Sequence, residues 1–342
     1  MIALDGTNGI INPLQVLKTS GKEGVSFMQH LSKLTTFYKF LSPDASDEVC
    51  KEFELLTRQL YIKFNIYKED AKEEDLHITG LSKESYPIFS DLLNLVREEL
   101  YEDLEKNVIH KELSPNKVQR LESIELTLKS MVKNYGYLFD GYSTIEDITN
   151  EQVVFFSIRN LTSMKKEVFN AQMFNVLNLL WDNMLQNGMK YKKLYDTDSI
   201  RWEDIIRYLI VIDEAHRIIN SQNLLAVRFL IDFEREARKY FGGLLFVSQS
   251  IRDFVPEGIS AEGLNEIKTL FELTQYKFIM QQDNNALQTL RTVFDGSLSE
   301  SELNKIPVLK EGECILSING VGNIAFHIEA SEKELALFQG GA

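Results

Sequence analysis

The chain has 342 residues, 44% of them hydrophobic and 26% charged, which is typical of a soluble globular protein with room for one large domain or two ordinary ones. Its net charge of −14 argues against a generally basic surface that coats nucleic acid, although it does not exclude a local basic pore or loop. Cys50 and Cys314 have no metal or redox spacing, no apolar run approaches the ~20 residues of a membrane span, and the first residues are not a signal peptide. We therefore expect a cytoplasmic protein that reaches a membrane only through partners.

The first 135 residues divide into a short start and a helical stretch. Residues 1–17 predict a strand and a glycine-rich turn, in which Asn8-Gly9 is a strong turn signal. Beyond residue 23, apolar side chains recur at helical spacing, and breaks with helix-start residues separate the stretches. The predicted helices are 27–41, 48–64, 88–100 and 115–132. We expect a helical subdomain whose aromatic and leucine stripes form its core.

A turn at residues 138–144 closes this subdomain. The apolar run 153–158 predicts a buried strand, and residues 165–189 predict a helix with one apolar stripe. A polar loop is expected at 190–199.

The stretch that follows, residues 208–220, contains four apolar residues without alternation and then two acids. Such a run predicts a strand buried on both faces, as in a parallel α/β sheet. Asp213 and Glu214 would lie at its carboxyl end, where open α/β sheets bind ligands. This is the form of a Walker B element, in which Asp213 holds Mg²⁺ and Glu214 polarises a water for attack on a γ-phosphate. The alternative is a solvated acidic turn, because Asp and Glu number 51 in this chain.

A helix is predicted at residues 224–240, and Gly242-Gly243 is expected to stop it. Arg235 and Arg238 near its end are either a solvated basic helix end that complements the helix dipole or phosphate-sensing arginines at a subunit boundary. The apolar run 244–247 predicts another buried strand. Gln249 beyond it is either a polar strand end or an amide that senses the γ-phosphate.

The remaining elements predicted are a strand at 271–282, a helix at 284–293, a capping box from Ser299 to Glu302, a hairpin at 312–330 and a short last helix.

The order of these features resembles the large ATPase of type IV secretion and conjugation machines, the VirB/TraC class within the HerA/FtsK-like motors. The motifs that carry the resemblance are, in chain order, Ile-Asn-Pro-Leu at 11–14, Phe-Asp-Gly at 139–141, Val-Ile-Asp-Glu-Ala-His at 211–216, Arg-x-x-Arg-Lys-Tyr-x-Gly-Gly at 235–243, Ser-Gln at 248–249 and Leu-Ser-Glu-Ser-Glu-Leu at 298–303 before Gly-Glu-Cys-Ile-Leu at 312–316. The Asp-Glu-Ala-His tetrapeptide also occurs in DEAH-box helicases, but no other helicase motif stands around it, and we interpret His216 as the start of the following loop or helix.

The resemblance implies an α/β fold of the RecA-like P-loop NTPase type with an all-helical insertion at 23–137, flanked by motor segments 1–22 and 138–342. It implies ATP and Mg²⁺ as ligands, a homo-oligomer such as a hexamer, and other type IV secretion subunits as partners at the cytoplasmic side of a membrane. By position it assigns Mg²⁺ to Asp213, the catalytic acid to Glu214, the sensor amide to Gln249, and trans-acting arginines to Arg235 and Arg238.

One motif of that family, the P-loop G-x-x-x-x-G-K-S/T, does not occur in the sequence; Gly21-Lys22 is followed by Glu23 and lacks the earlier glycine. The family places this motif upstream of the segment that matches 11–14. We therefore expect the chain to lack the first strand and the phosphate cradle. A C-terminal fragment of a longer motor is favoured over a short protein that lost hydrolysis, because the hydrolysis residues remain in place.

Three functions follow. The first is the ATPase motor domain of a conjugative or type IV secretion system, inactive alone without its P-loop. The second is a non-catalytic scaffold that docks on other secretion subunits, and the third is a related DNA-pumping motor, which the acidic charge does not favour.

Overall fold

A computed structural model describes residues 1–145, 148, 151–220, 223–256 and 258–337. The chain forms two compact units, Met1–Asp204 and Ile205–Ala342. The predicted segments 1–22, 23–137 and 138–342 do not coincide with these units, and that division stays a prediction. In the part of the chain that the structure describes, no helix is both long enough and apolar enough to cross a membrane.

The first unit is mainly helical. Its helices are α1 (Glu23–Leu41), α2 (Asp47–Lys63), α3 (Phe89–Leu100), α4 (Pro115–Phe139) and α5 (Lys166–Asp196), and its strands are β1 (Ile2–Ala3), β2 (Tyr101–Asp103), β3 (Val108–Ile109) and β4 (Phe156–Ser157). β1 pairs with β4 in parallel, and β2 pairs with β3 antiparallel. The predicted insertion at 23–137 is therefore not all-helical, because the β2–β3 hairpin lies between α3 and α4.

The four helices predicted before residue 135 are confirmed. Side-chain caps fix two of their starts: Ser46 accepts the N–H of Val49, and Ser114 accepts the N–H of Lys117 next to Pro115 at the first helical position. The predicted stripes form the core, where the aromatic rings pack in pairs. These pairs include Phe27 with Tyr61, Phe37 with Phe89 and with Phe139, and Tyr38 with Phe53.

Two predictions for the end of this unit are wrong. The predicted loop 190–199 is helical as far as Asp196, because the polar residues there are good helix formers and no Gly or Pro interrupts them. The predicted buried strand 153–158 is reduced to the two residues of β4, and Val153 and Phe155 are 70% and 68% exposed.

The second unit contains two small sheets and helices that pack beside them. Its strands are β5 (Tyr208–Ile212), β6 (Gly242–Phe246), β7 (Tyr276–Ile279), β8 (Glu313–Ile318) and β9 (Gly322–His327), and its helices are α6 (Leu224–Ala237), α7 (Ala261–Leu273), α8 (Leu287–Val293), α9 (Glu300–Lys305) and α10 (Glu332–Leu337). β5 pairs with β6 in parallel, with Tyr208 opposite Gly242 and Ile212 opposite Phe246. β7, β8 and β9 form an antiparallel sheet in that order, which confirms the predicted hairpin.

The strand before the two acids is not buried on both faces. Ile210 and Ile212 are buried, but Leu209 and Val211 on the opposite face are 63% and 55% exposed. Leu245, opposite Val211 on β6, is also exposed. A continuous apolar run indicated two-sided burial because parallel sheets are covered by helices on both faces, whereas here one face remains open to solvent.

Two predictions for this unit are wrong. No helix is predicted at α7, and the predicted strand 271–282 begins within the last residues of that helix, whereas β7 starts at Tyr276. The capping hydroxyl of Ser260 marks the true start of α7. The chain after α6 reverses at Phe241, whose φ is +56°, so Gly242 and Gly243 begin β6 rather than stop the helix.

Candidate functional site

The acidic turn after β5 is held by backbone contacts. Asp213 Oδ1 accepts the backbone N–H of Glu214 at 2.9 Å. Ala215 donates its N–H to Val247 O at 2.8 Å, and Val247 donates its own N–H to Ile212 O at 2.9 Å. The pairing of β5 with β6 thus continues beyond both strands and carries the two acids to the carboxyl edge of this sheet.

Glu214 has a backbone conformation that is unusual for its residue type. Its φ and ψ are +50° and +41°, in the left-handed region, which costs an ordinary L-residue about 1 kcal/mol. Three of the other non-glycine residues with positive φ are Asn or Asp, which tolerate this region better. Such strain persists only where surrounding contacts determine it, and it is concentrated at functional turns.

Gln249 is brought to Glu214 by the strand pairing. Its Nε2 donates to Glu214 Oε1 at 3.1 Å, across 35 residues of sequence. The sequence assigned both side chains to one site, and the structure places them in contact. Both remain reachable from solvent, because Gln249 is exposed and the Glu214 side chain is 33% exposed.

His216 belongs to the same cluster, which sequence reasoning missed. Its Nδ1 lies 3.3 Å from Glu214 Oε2 and 3.3 Å from Ser248 Oγ. His216 thus contacts both the Glu214 carboxylate and the Ser248 hydroxyl, and it is more than the start of the next element. The signal that could have identified it is its position two residues after Glu214, because a tight turn brings such residues back over one another.

One carboxylate oxygen of Asp213 remains available to coordinate a metal ion at this edge of the sheet. Its side chain is exposed, and Oδ1 serves the turn while Oδ2 has no hydrogen-bond partner among the described residues. In the described part of the chain, no group of three or more His, Cys, Asp or Glu residues could hold a metal ion by itself. A single carboxylate nevertheless fits Mg²⁺, which keeps several waters and is bound through one or two carboxylates together with substrate phosphates.

A second glutamine, Gln282, connects the carboxyl ends of β6 and β7. Its Nε2 donates to Gln249 O at 3.0 Å, and its Oε1 accepts the N–H of Ile251 at 3.2 Å. Within the described residues, β6 pairs only with β5, and β7 pairs only with β8. A side chain therefore joins the ends of two strands that make no backbone ladder with each other among the described residues.

The structure does not bring Arg235 or Arg238 to this cluster. Both are exposed where α6 ends, just before β6 begins. The acids lie beyond the other end of β5 and β6, about 16 Å away for five residues at ~3.3 Å each. Arg235 contacts Asp232 at 3.5 Å, and Arg238 has no hydrogen-bond or ion-pair partner among the described residues.

No family model matches the chain. It is 35% identical over 339 residues to an uncharacterized protein of Bacillus anthracis, and the match covers 97% of this chain and 51% of that protein. The chain thus spans about half the length of the curated relative it matches.

Solved structures share the fold. VirB4 of Thermoanaerobacter pseudethanolicus superposes with a TM-score of 0.71 at 24% identity, covering 98% of this chain and 77% of that one. The bacterial conjugative coupling protein TrwB, in its unbound form, gives 0.54 at 14% identity, covering 97% and 78%. TrwB in complex with ADP and Mg²⁺ gives 0.51 at 14% identity, covering 94% and 73%. The chain therefore has a mixed helix-and-sheet fold that it shares with VirB4 and TrwB.

Proposed function

We propose that the turn after β5 is the Mg²⁺- and water-positioning half of an ATP-hydrolysing site in a motor of conjugation or type IV secretion. The observation that carries the proposal is the contact between Gln249 and Glu214 beside the exposed Asp213. The shared fold supports it, because VirB4 and TrwB have this fold and TrwB was solved with ADP and Mg²⁺.

Asp213 is the residue that would hold Mg²⁺, directly or through water. The ion would neutralise charge on the phosphates of ATP. Because Oδ1 accepts the N–H of Glu214, the carboxylate is already oriented before any ligand arrives. Its Oδ2 is the oxygen left for the ion or its water shell.

Glu214 is assigned to the attacking water. Gln249 orients one oxygen of its carboxylate and His216 lies against the other, so the group is held rather than free to rotate. A water bound to this carboxylate can pass a proton to it as the γ-phosphorus is attacked. Gln249 donates one side-chain N–H to Glu214. Its second N–H could donate to a phosphate oxygen, and its Oε1 could accept a hydrogen bond from the attacking water.

We propose that the phosphate cradle is supplied by residues outside these 342, because the motif G-x-x-x-x-G-K-S/T does not occur among them. In this proposal, the strand that precedes the P-loop lies between β6 and β7. Among the described residues these two strands make no backbone ladder with each other, and the side chain of Gln282 connects their carboxyl ends. A P-loop that follows this strand would open beside Gln249 and Glu214.

Arg235 and Arg238 are proposed to act on a neighbouring subunit. They lie too far from the acids to reach the same nucleotide, but an exposed, cationic helix end is available to another copy. An arginine supplied in trans stabilises the charge that develops during phosphoryl transfer. This role requires a homo-oligomer, and a hexamer is the expected form.

The same proposal names the partners and the place of action. ATP, Mg²⁺, further copies of the parent protein and other type IV secretion subunits are the partners, and the cytoplasmic side of the membrane is the place. DNA pumping is the weaker alternative, because a net charge of −14 opposes binding to a polyanion.

The test is ATP turnover by the full natural polypeptide that contains these residues, compared with its Glu214→Gln and Asp213→Ala variants. Glu214→Gln should lower kcat by about 10²–10⁴-fold, as expected for loss of a general base, and leave ATP binding within threefold. Asp213→Ala should weaken the Mg²⁺-dependent part of binding. Glu236→Gln, a helix acid paired with Lys239, is the matched control and should change neither quantity.

Unchanged turnover in Glu214→Gln would sink the assignment of the catalytic acid. A natural polypeptide that binds no nucleotide at all would replace the motor with the scaffold function.

A further inference from the structure

Two separate sheets meet beside the candidate site through the side chain of Gln282. Both sheets belong to the unit Ile205–Ala342, and among the described residues their strands β6 and β7 make no backbone ladder with each other. Gln249 lies beyond Phe246, the last residue of β6, and Gln282 lies beyond Ile279, the last residue of β7. The contact between the two glutamines therefore lies past the strand ends and not between the strands themselves.

The side-chain amide of Gln282 forms hydrogen bonds on both of its edges. Its Nε2 donates to Gln249 O at 3.0 Å and to Gln281 O at 3.1 Å, and its Oε1 accepts the N–H of Ile251 at 3.2 Å. A carboxamide provides a donor edge and an acceptor edge in one planar group. A rotated amide would place oxygen against the carbonyl of Gln249 and N–H against the N–H of Ile251, so these neighbours fix its orientation.

These bonds hold the backbone on both sides of Ser250. The carbonyl of Gln249 precedes this residue, and the N–H of Ile251 follows it. Ser250 Oγ accepts the N–H of Arg252 at 3.2 Å, and the side chain of Ile251 is buried. The turn that carries Gln249 is thus fixed by Gln282 on one side and by a buried side chain on the other.

Gln282 is itself anchored by the residues around it in sequence. Gln281 Nε2 donates to Pro307 O at 3.1 Å, and the side chain of Asp283 caps the turn that leads into α8. Ile279, at the end of β7, is buried. A side chain that leaves a segment held at these points presents its amide at a defined place.

The backbone of the turn determines where the Gln249 side chain points. Its Nε2 donates to Glu214 Oε1 at 3.1 Å, yet the side chain is exposed, so packing restricts its rotation little. The direction of its Cα–Cβ bond, which the backbone sets, therefore decides whether the amide meets the carboxylate. A displacement of about 1 Å at a reacting group costs on the order of 10²-fold in rate.

A purely structural role for Gln282 is the alternative, and the chain offers a matched example of one. Gln275, just before β7, donates its Nε2 to Asn319 O at 3.0 Å. This bond connects the other end of β7 to the turn between β8 and β9. The two glutamines fasten the same strand with the same kind of bond, but of the two only Gln282 reaches the turn that carries Gln249.

From these contacts we propose that Gln282 is a positioning residue for the hydrolysis of ATP. It holds the backbone of the turn after β6, so that the Gln249 amide meets Glu214 and orients the carboxylate toward the attacking water. The end of β7, which belongs to a different sheet, thereby determines the geometry of this pair. The inference rests on the ATPase function proposed above and adds a residue that makes no contact with ATP itself.

The test is ATP turnover by the full natural polypeptide and its Gln282→Glu variant. Glutamate has the size of glutamine and keeps an acceptor for the N–H of Ile251, but it places a carboxylate oxygen against the carbonyl of Gln249. We expect kcat to fall at least tenfold while KM, and the Kd of a non-hydrolysable ATP analogue, stay within threefold. Gln275→Glu is the matched control and should change each of these quantities less than twofold.

A double-mutant cycle separates positioning from a general loss of stability. If Gln282 acts through Gln249, then Gln282→Glu should lower kcat less than twofold further in a Gln249→Ala background, whereas independent effects would multiply. Gln282→Leu removes the same hydrogen bonds without adding a charge. It should lower kcat at least fivefold while the far-ultraviolet circular dichroism stays that of the wild type.

The outcomes distinguish this inference from the function on which it rests. Wild-type turnover in both Gln282 variants, together with its loss in Glu214→Gln, would overturn the positioning role and leave the ATPase function standing. Multiplying losses in the cycle, or an equal loss in Gln275→Glu, would also overturn it. Unchanged turnover in Glu214→Gln, or no turnover by the wild type, would overturn both.

Discussion

Replacing Lys33 by methionine should destabilise the first unit by up to about 4 kcal/mol at pH 7. Asp182 is 6% exposed, and Lys33 is its ion-pair partner. Burial raises the pKa of Asp182, and the ammonium of Lys33 opposes that rise. Without it, the carboxyl escapes the cost of a buried charge by taking a proton. Protonating at pH 7 a group whose ordinary pKa is 3.8 costs about 4 kcal/mol, at ~1.36 kcal/mol per unit, within the range for breaking a buried ion pair.

The loss of stability in Lys33→Met should also depend on pH. A carboxyl whose folded pKa lies above 3.8 contributes stability below that pH and loses it as the pH rises. The free energy of unfolding of Lys33→Met should therefore fall by up to about 1.4 kcal/mol per pH unit between pH 5 and 7, more steeply than in the wild type.

Urea unfolding followed by the fluorescence of Trp181, whose ring lies 5.9 Å from the Lys33 ammonium, measures both quantities. Lys39→Met is the matched control, because it removes a lysine of the same helix that pairs with the exposed Asp47. That variant should lose less than about 1 kcal/mol. A loss below 1 kcal/mol for Lys33→Met at pH 7, or a loss that does not change with pH, would refute the reasoning.

Three further outcomes are expected. Burial raises the pKa of Glu234 to about 7, above its ordinary 4.5, so stability should fall by up to about 3 kcal/mol from pH 4.5 to 7, and Glu234→Gln should flatten that dependence in urea titrations. Tyr61→Phe removes the hydroxyl between His30 and Leu14 O, and the two buried groups left unpaired should cost about 1–3 kcal/mol in chemical unfolding. Ser299→Ala removes the capping box of α9 and should cost about 1 kcal/mol, which a thermal melt compared with Ser301→Ala would detect.

Helices with local start signals could be predicted from the sequence. The helix starts at Ser46, Ser114 and Ser299 were found because each serine caps the helix within its own sequence neighbourhood. Helix α7 was missed although Ser260 marks it, because its last residues, Phe-Glu-Leu, alternate as a strand does. An alternation of apolar and polar residues over only three positions does not distinguish a helix from a strand.

Burial could be predicted less well, because it depends on distant residues. The run 209–212 predicts burial on both faces, yet what covers each face is decided by elements far along the chain.

Some residues of the candidate site could be predicted from the sequence, and others could not. Asp213, Glu214 and Gln249 follow from their positions after two strands, whereas the contact of His216 with Ser248 depends on the fold of the turn. Gln282 follows a third strand, and its contact with Gln249 arises only in the folded chain, where the ends of β6 and β7 come together.

The exposed face of β5 and β6 also bears on the self-association of the isolated polypeptide in solution. Leu209, Val211 and Leu245 form an exposed apolar strip beside a strand edge that no described residue pairs with, and such an edge is a template for pairing with another copy. The charge of −14 keeps copies apart at low ionic strength. Salt screens that repulsion without weakening the apolar contact. We therefore expect the isolated chain to be most soluble in dilute buffer and to self-associate as salt is added, which light scattering across a salt series would measure.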